Sequence, residues 1–394
     1  MTYSSLPNVH LWSPGLFDFK GGIQVFSQFF LEALQALYPP IEQQVFSMHD
    51  RPNPQPPLAS SSTTFHYCGQ LPQRWRTPAF AAQVMAHGLL RQPDLVITTH
   101  LNFTVAAAQL KRLTNTPYWT IAHGFEAWDI QRPKVLEALA GADRILAVSS
   151  YTRDRLIEHP QINPDRIELF PNTFNIEQFQ IAAKPEYLLK RHQLRADQPV
   201  ILTVNRLEAG EDFHSYDQVL AALPQIRQTL PDVHYVIVGK GGDRPRLEQL
   251  IRDRQLEDCV TLAGFIPDDE LVNYYNLCDV FAMPSTLEGF GIVYLEALAC
   301  GKPVIAGLDG GLDALDHGQL GANVDPMDIA TLATTVTQIL TQQYANPLLF
   351  DPAGLRQAVI QRFGTAAFHA RLNALFQTAP LASQSAAHKF ATSY

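Results

Sequence analysis

Twelve short apolar runs, each set between longer stretches with helical spacing, constrain this chain more than any other feature. The first half carries "NVHLW", "QVFSM", "FHYC", "DLVITTH", "YWTIAH", "RILAVS" and "IELFP"; the second carries "VILTVN", "HYVIVG", "VTLAG", "VFAMP" and "PVIAG". Runs this short, rich in β-branched and aromatic residues, read as buried strands. Their alternation with helical patterns is the signature of βαβ units and parallel sheets. There are too many strands for one ordinary sheet, so the expected fold class is α/β with two Rossmann-like, doubly wound domains. The length of 394 residues, about twice that of a common domain, agrees, and 46% apolar residues suffice for two cores.

The polar segment "IAAKPEYLLKRHQLRADQP" (181–199) precedes a fresh buried strand and marks the boundary. It sets a first domain at 1–184 and a second at 197–362. The proline-rich stretch "RPNPQPPLASSS" (51–62) is expected to be a surface loop. The tail 378–394 is poor in bulky residues and is expected to fray.

Net charge is −9, which argues against a nucleic-acid binder. The one candidate basic stretch, "QRWRTPAF" (73–80), permits weak membrane-surface contact and reads equally well as a solvated loop. Cys68, Cys259, Cys278 and Cys300 show no CxxC spacing, so no zinc site or redox pair is expected, and the last three read as small core residues. Neither a signal peptide nor an apolar run of spanning length is evident. The expectation is a cytoplasmic protein, with peripheral contact at the inner membrane face left open.

Chemistry concentrates in "TLEGFGIVYLEALACGKPVIAG" (286–307). "DVFAMPS" reads as a strand, "IVYLEALAC" as a helix, and Gly301 ends that helix. Glu288 then falls in a strand-to-helix loop and Glu296, eight positions on, falls on the helix. A helix N-terminus carries free N–H groups and a partial positive charge, and Gly289 and Gly291 let backbone approach a phosphate or sugar closely. Eight residues of helix rise about 12 Å, close to the span from a nucleotide's ribose across its diphosphate to an attached sugar. Two glutamates at this spacing are also common by chance in α/β proteins, so the surrounding string carries the weight.

That string, "EGFGIVYLEALACGKPVIA", resembles the E-x7-E motif of retaining glycosyltransferases of family 4, which have the GT-B fold. Further stretches resemble the family in the same order: "GGIQVFSQFFLEAL", "TIAHGFEAW", "ADRILAVSSYTRDRL", "IELFPNTFNIEQF", "VNRLEAGEDF", "YVIVGKGGDRPRLE" and "VTLAGFIPDDELVNYYNLCDVFAMPS". Together they cover roughly residues 15–375. The resemblance implies two Rossmann-like domains facing a central cleft, the second binding a nucleotide sugar and the first holding most of the acceptor. A last helix, 363–377, would cross back to the first domain.

By the same resemblance Glu288, Arg206 and His123 are the catalytic candidates: Glu288 near the donor sugar, Arg206 on the diphosphate as a fixed cation, His123 on the donor sugar. Glu296 would accept hydrogen bonds from the ribose hydroxyls. Gly289, Phe290 and Gly291 would offer backbone donors, and Gly21 and Gly22 would let the first loop close over the phosphates. Each has a plainer reading: Arg206 as a surface ion-pair partner, the two glycines as a helix-initiating turn, His123 as a core histidine. No metal or other cofactor is expected; the donor, a UDP- or GDP-sugar, enters as substrate. The acceptor is a carbohydrate, a lipid-linked sugar or a small molecule.

One departure matters. Where the family carries lysine and glycine after the arginine, "RLEAGEDFHSYDQVL" places His214 and Ser215. A free histidine is only about a quarter protonated at pH 7, although a bound diphosphate raises its pKa. Either His214 binds donor as an imidazolium or donor binding is weakened. "DGGLDAL" (309–315) is a smaller departure, with Gly311 where a serine is common nearby. The expected function is retaining transfer of a sugar from a nucleoside-diphosphate sugar to an acceptor hydroxyl. The alternative is a non-catalytic nucleotide-sugar-binding partner subunit of an active enzyme. A phosphorylated acceptor would require further cations in the first half, and Arg74, Arg76, Lys111 and Arg112 form no evident cluster in the sequence.

Overall fold

The computed structural model describes residues 8–18, 21–208 and 215–378. Its contacts divide the chain into two compact units, residues 1–172 with 366–394, and residues 173–365.

The first unit is built on seven parallel strands: β1 (Asn8–Ser13), β2 (Glu42–Ser47), β3 (Thr63–Tyr67), β4 (Leu95–Thr98), β5 (Tyr118–Ala122), β6 (Arg144–Ala147) and β7 (Ile167–Leu169), in the order β3-β2-β1-β4-β5-β6-β7. In the central strands Leu11 lies between Val45 on one side and Ile97 on the other. β4 and β5 are buried throughout, as strands covered by helices on both faces must be. The helix Gly22–Leu37 turns Phe26, Phe30, Leu31 and Leu34 into the core, a helical stripe readable from the sequence. Phe26 meets Phe170 and Phe368 edge to face, with centroids 6.1 and 5.9 Å away. Phe368 belongs to the last helix, Thr365–Gln377, which begins in the second unit and from Ala366 packs in the first. Phe376 of that helix lies against Trp119 and Tyr38, and the Tyr38 hydroxyl donates to Asn373.

The second unit has six parallel strands: β8 (Val200–Val204), β9 (His234–Val238), β10 (Val260–Gly264), β11 (Val280–Met283), β12 (Val304–Ala306) and β13 (Ala322–Asn323), in the order β10-β9-β8-β11-β12-β13. β13 was not anticipated, because two residues are too few to show a pattern. Cys68, Cys259, Cys278 and Cys300 are all buried thiols.

Two expectations are corrected. The first domain was expected to run to residue 184, yet the chain from Thr173 belongs to the second unit. The polar look of this segment hides its anchors. The Ala182 N–H donates to Asn276, Lys184 pairs with Asp279 at 2.7 Å, and the Arg356 guanidinium donates to the carbonyls of Ile176 and Phe179. "QRWRTPAF" is not a loop but the first two turns of the helix Gln73–Arg91, which carries Pro78 inside it. Pro78 is the sixth residue of the helix and forgoes the one bond its position would make to the Arg74 carbonyl, yet the helix runs on to Arg91, so the proline misleads as a breaker. Among the described residues no helix is long and apolar enough to cross a membrane.

Candidate active site

In an open parallel sheet, ligands bind beyond the carboxyl ends of the strands where the order reverses, because the two loops leaving that point diverge. In the second unit the reversal falls between β8 and β11. The loop after β8 carries Arg206 and the loop after β11 carries Glu288.

The β11 loop is held by an acid the sequence reading passed over. Asp309 is buried, and its Oδ2 accepts the Glu288 N–H at 2.6 Å. Its Oδ1 accepts the Gly311 N–H at 3.3 Å, while the Gly310 N–H donates to the Glu288 carbonyl at 3.0 Å. The two loops approach so closely that a Cβ on Gly310 would lie 2.2 Å from the Gly289 carbonyl oxygen. Gly291 has φ +86 and starts the helix Ile292–Ala299; a Cβ there would lie 2.3 Å from the Tyr294 ring. That ring is fixed in turn, since the Tyr294 hydroxyl donates to the Met283 carbonyl at 2.7 Å.

The Glu288 side chain is half-buried, and its Oε1 accepts the Phe290 N–H at 3.4 Å. Burial and the neighbouring Asp309 carboxylate push its pKa up to about 7, against the opposing effect of the backbone N–H groups and the Arg206 charge. Burial also raises Asp309 to about 6, opposed by the N–H groups it accepts. Arg206 is exposed, and its N–H donates to the Asn205 side chain. Phe290, expected as a backbone donor, spends its N–H on Glu288 and buries its ring against Phe363 at 5.6 Å. Glu296 lies on the helix as expected, half-buried, with Oε2 accepting the Tyr275 hydroxyl at 2.7 Å. Tyr275 comes from the helix Asp268–Leu277, is fully buried, and has its pKa raised by burial and by Glu296. His214 lies outside the described residues; Ser215, next to it, is buried at the start of the helix Tyr216–Thr229.

In the first unit the strand order reverses between β1 and β4. Gly21 and Gly22 start the helix that follows β1, but Gly21 is extended and a Cβ on Gly22 would meet nothing within 4 Å, so the fold itself does not require glycine there. The loop ahead of them is tied down by Asp50. This buried carboxylate accepts the N–H groups of Leu16, Phe17 and Asp18 at 2.6, 3.0 and 2.9 Å and the Ser47 hydroxyl at 2.7 Å. His123 follows β5. Its Nε2 lies 3.0 Å from the Thr99 carbonyl, which can only accept, so Nε2 carries the proton. Burial lowers its pKa to about 4, leaving a neutral ring whose Nδ1 is an acceptor at pH 7. The Glu126 carboxylate accepts the His123 N–H, and Phe26 meets the ring edge to face at 5.0 Å.

Known proteins share this architecture. The family profile described as "Glycosyltransferase Family 4" matches residues 20–178, and that of "Glycosyl transferases group 1" matches residues 186–353. A GDP-mannose-dependent alpha-(1-6)-phosphatidylinositol monomannoside mannosyltransferase of Mycolicibacterium smegmatis is 32% identical over 231 residues, which cover 55% of this chain and 59% of that one. The chain thus spans little more than half the length of such curated relatives. Sucrose-phosphate synthase from Thermosynechococcus elongatus superposes with a TM-score of 0.76 at 22% identity, over 94% of this chain and 98% of the other. Anabaena HepE, solved in complex with UDP, superposes with a TM-score of 0.74 at 18% identity, over 95% of this chain and all of the other. At these identities the two structures establish the fold, a pair of Rossmann-like units of the GT-B type.

Proposed function

The chain belongs to the family 4 glycosyltransferases, and on that premise we propose that it transfers a sugar from a nucleoside-diphosphate sugar to an acceptor hydroxyl with retention of anomeric configuration. The observation that carries this reading is the placement of Arg206 and Glu288 on the two loops that leave the β8/β11 reversal, beside the N-terminus of the helix Ile292–Ala299.

In this reading the bond between the sugar's anomeric carbon and the diphosphate oxygen breaks, and its electron pair stays on the diphosphate. The charge that develops there meets the Arg206 guanidinium and the positive end of the helix, both in place before the reaction. The acceptor hydroxyl attacks the same face, and its proton passes to the departing phosphate oxygen. No protein group need gain or lose a proton overall. Glu288, with a pKa of about 7, is protonated in about half the molecules at neutral pH, so it can donate to or accept from a donor-sugar hydroxyl. Glu296, oriented by Tyr275, is assigned the ribose hydroxyls. Neutral His123 offers Nδ1 to a sugar hydroxyl.

The test is a thermal-shift panel of UDP, GDP and ADP and their common sugar conjugates on wild type and Glu296→Ala. A ligand at about 100 times its dissociation constant stabilises the fold by about 2.7 kcal/mol. The expected result is a shift with one base alone, lost in the variant. A panel with no shift rejects the donor assignment. Binding without cleavage, whatever acceptor is supplied, favours the non-catalytic partner subunit.

A further inference from the structure

The first unit has a groove of about 590 Å³ whose lining includes Gly15, Asp18, His49, Arg51 and Arg76. Two loops build it, those that follow β1 and β2, together with the first turn of the helix Gln73–Arg91 that follows β3, so it lies at the carboxyl edge of the sheet where ligands are expected. Its charges are what single it out. Arg76 is anchored by two backbone carbonyls, Nε donating to Leu71 and one terminal nitrogen to Gly69, both at 2.9 Å. Those bonds aim the guanidinium without neutralising it, and they leave Nη1 with no hydrogen-bond partner among the described residues. The Arg51 side chain is exposed and forms no ion pair with a described residue. Two acids lie nearby, and one of them, Asp18, is exposed and lines the groove itself. Asp50 is buried under its three N–H groups and the Ser47 hydroxyl, and Asp18 accepts the Arg51 N–H at 2.7 Å. His49, Arg51 and Arg76 all line this one groove, and burial together with the Arg76 charge lowers the His49 pKa.

We infer that this groove binds the phosphate of a phosphorylated acceptor, with the Arg51 and Arg76 guanidinium groups as the charge partners and His49 as a further hydrogen-bonding group. The inference rests on the glycosyl-transfer reading, which supplies the acceptor, and it names that acceptor's chemical class. Two forked guanidinium groups lining one groove, Arg76 held by its carbonyls and Arg51 exposed, suit the oxygens of a phosphate, with which arginine forms paired hydrogen bonds. A neutral sugar would leave both charges unmatched. The same chemistry is offered by a soluble sugar phosphate and by the headgroup of a phosphoinositide lipid.

The test uses the full chain. Binding of inorganic phosphate and of glucose 6-phosphate is measured by calorimetry at constant ionic strength, with glucose as control, for wild type and Arg51→Gln. Arg51 is the informative position because its side chain supports no other part of the fold; Arg76→Lys is the second variant. The expected result is binding of both phosphate probes but not glucose, weakened roughly tenfold or more in Arg51→Gln, with the nucleotide thermal shift unchanged. Vesicles of phosphatidylcholine with and without phosphatidylinositol identify the source. Arg51-dependent capture by the inositide vesicles, without glucose 6-phosphate binding, assigns a lipid headgroup, and the reverse assigns a soluble sugar phosphate. Wild type that ignores both probes and the inositide vesicles, or that loses no affinity in Arg51→Gln, overturns the inference. Loss of the nucleotide shift in Arg51→Gln also overturns it, by placing these cations on the donor. Intact phosphate binding without any nucleotide shift would instead reject the glycosyl-transfer reading and leave the anion site standing.

Discussion

Replacing Glu288 by glutamine should make the second unit less sensitive to alkaline pH. An ordinary glutamate ionises near 4.5, and in the folded protein Glu288 does so only near 7. Between those values the unfolded chain has released a proton that the folded chain keeps. The stability associated with the neutral carboxyl is therefore complete below about pH 4.5 and is lost as pH rises through about 7. At about 1.36 kcal/mol per pH unit, the shift from 4.5 to about 7 amounts to about 3.4 kcal/mol as an upper bound, since Glu288 retains some contact with water. Glutamine has no such titration and can still accept the Phe290 N–H. Removing the charge also eases ionisation of Asp309, which works in the same direction. Scanning calorimetry of both proteins at pH 5 and pH 8 tests this. A domain of this size moves by about 2–4 °C per kcal/mol, and about 2.5 kcal/mol of the loss falls between the two pH values, so the wild-type transition should fall relative to the variant's by up to about 5–10 °C. Parallel changes in the two proteins would refute the reasoning, because they would mean that Glu288 ionises as freely in the folded chain as in the unfolded one.

Other substitutions probe separate parts of the account. Arg206→Ala should lower turnover by about a hundredfold or more, as the loss of a preorganised charge does, while leaving the melting temperature nearly unchanged because the side chain is exposed; steady-state kinetics beside calorimetry decide it. Gly291→Ala should destabilise the second unit by at least about 1–3 kcal/mol, since φ is +86 and the new methyl group meets the fixed Tyr294 ring; urea unfolding measures it. Asp50→Ala should cost about 3 kcal/mol by stripping the Leu16, Phe17 and Asp18 N–H groups of their acceptor, and hydrogen exchange at those three amides should accelerate.

Local pattern accounts for what the sequence revealed. Strands buried on both faces leave short apolar runs, and all twelve that the sequence shows lie in the two sheets. Glu288, Gly291 and Glu296 sit within one strand–turn–helix unit, so their arrangement follows from adjacency. Their supports do not. Asp309 and Tyr275 each act from 21 positions away, and Asp50 holds a loop more than thirty positions before it. An acid followed by two glycines at the end of a strand, "DGG", was the available signal for Asp309. The cations of the first unit were hidden for the same reason: Arg51 opens a proline-rich loop and Arg76 lies beside a helical proline, and only the adjacency of β1, β2 and β3 brings them together. The unit boundary was misplaced because side-chain anchors such as Lys184–Asp279 leave no periodic trace.

The most direct measurement is proton NMR of the anomeric signal while the purified chain turns over the nucleotide sugar that the binding panel selects. The account predicts that an α-linked donor yields an α-linked product, with the rate lost in Arg206→Ala. A β-linked product would contradict retention, and bound donor left uncleaved with phosphorylated and neutral acceptors alike would contradict the assignment of transfer itself.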